Sequence, residues 1–148
     1  MAEYHAPATL STIGLSIQFN TGGTGDEYFV TNIIGLDGAP IRAPVDDAPQ
    51  ADGGIVHSFF LGPRHLTVEG LLIIRTGSVA ARNILEANLL SALSSCLRND
   101  ATWSWTPTGL GTKNLTVRND MSCSFTGSSL GEFVKSFTFG LVAANPTF

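Results

Sequence analysis

The sequence predicts a mainly β chain: an antiparallel β-sandwich with one α-helix (about 79–98) and a long loop or arm (about 39–54). Three observations predict it. Apolar residues alternate with polar ones in short runs, the period of a half-buried strand. Glycine and proline turns separate those runs at hairpin distance. Only one stretch has helical spacing, and the lack of βαβ alternation argues against a parallel nucleotide-binding sheet.

Residues 1–9 read as a flexible N-terminal arm and 10–148 as a single domain, long enough for one hydrophobic core. Ile13, Leu15, Ile17 and Phe19 alternate with Gly14, Ser16 and Gln18 and predict the first strand. Thr21-Gly-Gly-Thr-Gly25 is a turn, because glycine takes positive φ without a steric penalty. Tyr28 to Leu36, rich in β-branched and aromatic residues, is the second strand. Ala39 to Gly54 holds Pro40, Pro44 and Pro49, lacks apolar periodicity, and reads as a functional loop.

Ile55–Phe60 and His65–Arg75 predict a hairpin turned at Gly62-Pro63. Ser78 is the expected N-cap of a helix over Val79–Arg98. Its apolar stripe is Ile84/Leu85, Leu89, Ala92/Leu93 and Cys96/Leu97. Strands follow at Ala101–Thr106, Leu115–Phe125 and Glu132–Ala143. The last puts Phe133, Phe137, Phe139 and Leu141 on one face, and a closed module is expected to end with it.

Charged residues make up only 14% of the chain against 43% apolar. Soluble domains usually carry about a quarter charged residues, so much of this surface is expected to be covered by other protein. No apolar run has the length of a membrane span. The N-terminus has neither the basic nor the apolar region of a signal peptide, which predicts cytoplasmic synthesis. A net charge of −4 argues against nucleic-acid binding. Asp26, Glu27, Asp37, Asp46, Asp47 and Asp52 share a stretch whose only base is Arg42, predicting one acidic face or loop.

Nothing nominates a catalytic centre, and no cofactor or metal is expected. His57 and His65 face each other across the predicted hairpin but lack a third ligand with suitable spacing, so they read as exposed polar residues. There is no Gly-x-Ser-x-Gly elbow, and Cys96 and Cys123 read as buried free thiols. The glycines at 21–25 are followed by Asp26-Glu27, which would repel phosphate. Asp46, Asp47 and Asp52 do not match an EF-hand and read as a solvated acidic loop. Without a secretion signal, Asn114-Leu-Thr116 carries no glycosylation reading. Trp103 and Trp105, on one face of a strand, read as core or interface anchors ahead of a sugar-stacking platform.

Ile34-Gly-Leu-Asp-Gly-Ala-Pro-Ile-Arg42, Asp52-Gly-Gly54 and Leu66-Thr-Val-Glu-Gly-Leu-Leu72 before one helix resemble the N-terminal hub domain of phage distal tail proteins. The closing Phe137-Thr-Phe-Gly-Leu-Val-Ala-Ala-Asn-Pro146 resembles the same family's last strand. The resemblance runs from about Ile13 to Phe148. It implies a β-sandwich with one helix, assembled as a six-membered ring at the tip of a long non-contractile tail (siphovirus type) in the virion. It also implies that the ring joins the tail tube protein to the tail-tip hub protein, while the tape measure protein and DNA pass through its centre. Unlike many members, the chain is expected to lack the second, C-terminal domain that in those relatives supports receptor-binding proteins or sugar binding.

The expected function is therefore a structural ring subunit, a minor tail protein without catalysis. Asp26, Glu27, Asp46, Asp47 and Asp52 are expected to line the channel, where acidic side chains repel the DNA backbone. Pro40, Arg42, Pro44, Pro49, Trp103 and Trp105 are the expected subunit interface. The rival readings are a tail tube protein and a small carbohydrate-binding module built on the two tryptophans.

Overall fold

The computed structural model describes residues 5–36, 41–42, 45–47, 54–56, 60–126, 133–145 and 147. β1 (Ala8–Thr12) and β2 (Leu15–Phe19) form a hairpin whose turn is Ile13-Gly14, with Gly14 at φ +80. The expected strand from Ile13 is thus shortened to Leu15–Phe19, Ile13 lies exposed at the turn before it, and β1 precedes that turn where no strand was expected. Residues expected in the arm join the barrel: Ala6 and Ala8 are buried, and the His5 ring stacks on Phe29.

β3 (Glu27–Ile34) is followed by four short strands: β4 (Ile41–Arg42), β5 (Val45–Asp47), β6 (Gly54–Val56) and β7 (Phe60–Leu61). Then come β8 (Arg64–Ile73), α1 (Val79–Arg98), β9 (Ala101–Trp105), β10 (Lys113–Thr126) and β11 (Val134–Ala143). The helix bounds match the sequence reading, and the Ser78 hydroxyl accepts from the Ala81 N–H at 3.2 Å as an N-cap.

The chain is mainly β with one helix, but the expected sandwich is corrected to a closed barrel in the order β1-β2-β3-β8-β11-β10-β9. The physical reason is that β1 pairs on both sides, with β2 and with β9, so no edge is left there. The junction between β2 and β3 is thin. They run parallel and share one register pair, Phe19↔Tyr28. Alternation reports which face of a strand is buried and not which strands neighbour it, so sandwich and barrel read alike in sequence.

Asn20 closes that junction. It sits at φ 57, its N–H donates to the Tyr28 carbonyl at 2.9 Å, and its carboxamide binds the segments on either side. The Nδ2 donates to the Ala6 carbonyl at 3.0 Å, and the Oδ1 accepts from the Val30 N–H at 2.8 Å.

The interior is filled by Phe19, Trp103, Phe137 and Phe139. Phe19 lies 5.5 Å from Trp103 and 6.1 Å from Phe139 between ring centroids, in tilted geometry that aromatic quadrupoles favour. Phe137, Phe139 and Leu141 are buried on one face as their spacing predicts. The helix packs on β10, β1 and β2 through Leu89, Ala92, Leu93 and Cys96. Tyr28 of β3 donates its hydroxyl to the Leu85 carbonyl at 2.6 Å, tying the thin junction to the helix.

The predicted 55–60/65–75 hairpin is also corrected. β8 pairs with β3 and β11 along its length, while β6 and β7 pair with β5 and β4. A ten-residue strand finds more ladder bonds and apolar cover between two long neighbours than beside a three-residue one.

Candidate assembly surface

The segment expected to be a long loop or arm contains short strand pairings, together termed the ribbon. Inner rungs pair Ile41↔Leu61 and Arg42↔Phe60, and outer rungs pair Val45↔Val56, Asp46↔Ile55 and Asp47↔Gly54. The two sets differ in register by one residue. The ribbon leaves the barrel between β3 and β8, and among the described residues its strands make their main contacts with each other.

At its base, Arg64 is buried and its Nη1 donates to the Leu36 carbonyl at 2.7 Å, joining the outgoing chain to the returning one. Gly35, at φ +91, lies so close to the His65 carbonyl that no Cβ fits. The opposed pair Ile41 and Leu61 is 70% and 53% exposed. A two-stranded ribbon alone is marginally stable in water, and this one shows solvent an apolar cross-strand pair.

Asp26 and Glu27 are both engaged within the fold, at Arg75 and Thr76. Asp26 accepts from the N–H groups of Arg75 at 2.8 Å and Thr76 at 3.0 Å, and from the Thr76 hydroxyl. The Thr76 backbone bond, more than any other, holds its carboxyl below the ordinary carboxylate range. Glu27 is buried, with Oε1 2.6 Å from the Arg75 guanidinium, which also donates to the Gly23 and Gly25 carbonyls. Glu27 is therefore corrected from channel lining to a structural ion pair that binds the 21–25 turn to β8's end. Asp46 and Asp47 lie on β5 of the ribbon, and Arg42 on β4. Asp52, Pro40, Pro44 and Pro49, and also His57, fall outside the described residues.

Trp103 is fully buried and Trp105 is 9% exposed, so both are corrected from interface to core. Neither ring is presented to a sugar, which removes the basis of a stacking platform. His65 pairs instead with Asp120 at 2.9 Å on the barrel exterior. Gly140 makes room for that pair, since a Cβ there would strike the Asp120 carboxylate. Burial raises the pKa of Cys96, and pushes the Cys123 thiol up to about 11. Among the described residues no three His, Cys, Asp or Glu side chains gather as a metal site, and no helix is long and apolar enough to cross a membrane.

The sequence reading missed a second uncovered apolar surface. Ile84 and Leu97, assigned to the buried stripe, are 59% and 56% exposed, and Leu90 is 45% exposed. Leu90, Leu93, Ser94 and Leu97 form one wall of a hollow of about 170 Å³, and Asn119, Ser122 and Cys123 of β10 form the other. The signal was present as apolar residues on more than one side of a helix, which periodicity alone folds into a single stripe.

No known family model matches the sequence, and no curated protein matches it. The fold is similar to that of the SPP1 Dit (gp 19.1) protein, described as a paradigm of the hub adsorption apparatus in phages infecting Gram-positive bacteria. The TM-score is 0.61 at 15% identity, over 94% of this chain and 50% of that one. The present chain spans about half of that protein's length, and at this identity the likeness is one of fold. The tail of an empty GTA particle is also similar, at a TM-score of 0.46 and 12% identity over 100% of this chain and 97% of that chain, a score too low to build on.

Proposed function

We propose that this chain is a structural subunit of a phage-type tail, assembled in the virion as a ring at the distal tip. The observation that carries this reading is a fold shared with a phage hub adsorption protein across 94% of the chain. The ribbon supports it, because subunits of a ring need surfaces that only neighbours complete. In this reading six copies surround a channel, the tail tube protein sits on one side and the tail-tip hub on the other, and no reaction is catalysed.

Tape measure protein and DNA pass through the channel without specific binding. With Asp26 held by Arg75 and Thr76 and Glu27 paired with Arg75, the acidic character of the lumen falls to Asp46 and Asp47 and to Asp52. Replacing all three by lysine makes the assembled ring retain duplex DNA at low salt, because phosphate binding by basic residues is salt-dependent. Retention unchanged from the parent ring would remove these residues from the channel.

Native mass measurement and electron microscopy test the ring itself. A closed ring of six, alone or with tail tube protein, is the expected result. Open-ended tubes would assign the chain to the tail tube instead. A monomer at every concentration, with tail tube protein present, would overturn the proposal.

A further inference from the structure

We propose that the open margin of β2 binds an extended, basic segment of another protein as an added strand. This goes beyond the ring reading and does not depend on it. On one side β2 pairs with β1 at every residue, from Thr12↔Leu15 to Ala8↔Phe19, while on the other it meets β3 only at Phe19↔Tyr28. The Asn20 N–H donates across that second side to the Tyr28 carbonyl. Backbone groups alternate between the two margins of a strand, so Ser16, four residues back, turns its N–H and C=O the same way. β3 begins at Glu27, one residue before the single pair, so nothing in the barrel wall lies opposite Ser16.

The β3 side of this seam is guarded and the β2 side is not. Asn20 Oδ1 takes the Val30 N–H at 2.8 Å, and the His5 ring stacks on Phe29 at 5.0 Å. β2 reads Leu-Ser-Ile-Gln-Phe, without the proline or charged residue that usually blunts a strand edge. Beside it lies a hollow of about 290 Å³, near twice the roughly 150 Å³ that holds a benzene-sized group. Tyr28 and Leu85 give this hollow apolar surface, Gln18 and Asn88 give it polar groups, and no Lys or Arg lines it. In strand addition, backbone bonds supply the affinity and such a hollow selects alternate side chains. Glu27 is already paired with Arg75, but Asp26 is held by backbone N–H groups and a hydroxyl, so its charge is left to meet a lysine or arginine. The chain's own ribbon strands also have open margins, yet β5 would bring Asp46 and Asp47 against Asp26. Like charges disfavour that pairing, which points to a different protein.

The probe is a blocked, fluorescein-labelled peptide, threonine-valine-lysine-valine-threonine, with glutamate in place of lysine as the control. Fluorescence polarisation should give a Kd of about 1 mM or tighter for the lysine peptide and binding at least threefold weaker for the control. On titration the Ser16 amide resonance of the labelled chain should shift. Ser16→Pro removes a donor that β1 does not use, a place where a strand tolerates proline, and should weaken binding at least fivefold. Asn88→Lys puts a base into the hollow from the helix and should do the same, so the test survives if the proline variant fails to fold. No binding by the parent up to about 10 mM, or binding that both variants leave unchanged, would overturn the site. Equal binding of the glutamate peptide would overturn the basic occupant. A Ser16 amide protected from exchange in concentrated parent and released on dilution would give the margin to a second copy instead, against this proposal.

Discussion

The carboxamide of Asn20 accepts from the Val30 backbone N–H at 2.8 Å, across the one place where the barrel wall is a single register pair wide. The same side chain donates to the Ala6 carbonyl at 3.0 Å. Asn20→Ala therefore leaves a buried donor and a buried acceptor without their partner. Each such loss costs about 1–3 kcal/mol, so the variant should lose about 2–6 kcal/mol in denaturant unfolding. Asn20→Gly relieves the positive φ but restores neither bond, and it should remain clearly destabilised. A loss below about 0.5 kcal/mol for the alanine variant would show that the side-chain bonds do not hold the junction.

Gly70 makes a second sharp case. A Cβ at this β8 position would fall 2.5 Å from Cζ of Phe137 and closer still to the Phe29 carbonyl. Backbone on one side and a packed ring on the other leave little room to yield. Gly70→Ala should cost at least the roughly 1–3 kcal/mol of core overpacking, read as a fall in melting temperature. Gly77→Ala, at an open turn with φ +68, is the comparison in which strain acts without a clash.

The indole of Trp103 is completely buried, and its N–H has no acceptor among the described residues. Shape is therefore the main thing Trp103 supplies. Trp103→Ala should lose about 3–5 kcal/mol through the cavity it leaves. Trp103→Phe keeps an aromatic ring beside Phe19 and removes the unsatisfied donor, so it should lose well under half as much. Equal losses in chemical denaturation would mean that the N–H has a partner.

Acid stability should depend on Asp26. Its folded pKa lies below the ordinary 3.8, chiefly through the Thr76 backbone bond. A depressed carboxyl adds stability above its unfolded pKa and loses it as pH falls through the folded value. Melting of the parent should therefore decline as pH drops below about 4. Asp26→Asn should melt lower at neutral pH, with the gap narrowing toward pH 2. A constant gap across that range would assign the effect to something other than this carboxylate.

Much of the barrel is legible in the sequence, because alternation and capping are local. Ser78 and the apolar spacing after it mark α1 to the residue, and Phe137, Phe139 and Leu141 mark the buried face of β11. Ring closure is not local. It depends on β1 accepting β9 as well as β2, which the side chains of β1 do not encode separately. The ribbon escaped notice because two- and three-residue strands carry too few side chains to establish a period. Glu27 reads as one of six acids until Arg75, far along the chain, is brought to it by the β3–β8 register. Ile84 and Leu97 look like core because spacing shows which residues share a helix face, not whether anything covers it.

Both tryptophans lie within the barrel, one fully enclosed and the other nearly so. Intrinsic emission therefore reports the melting of the wall and stays blue-shifted whether a subunit is free or joined. A variant that no longer associates yet keeps the parental spectrum has lost a contact and kept its fold. One fluorimeter trace thus separates the two kinds of failure for any substitution on the outer surface.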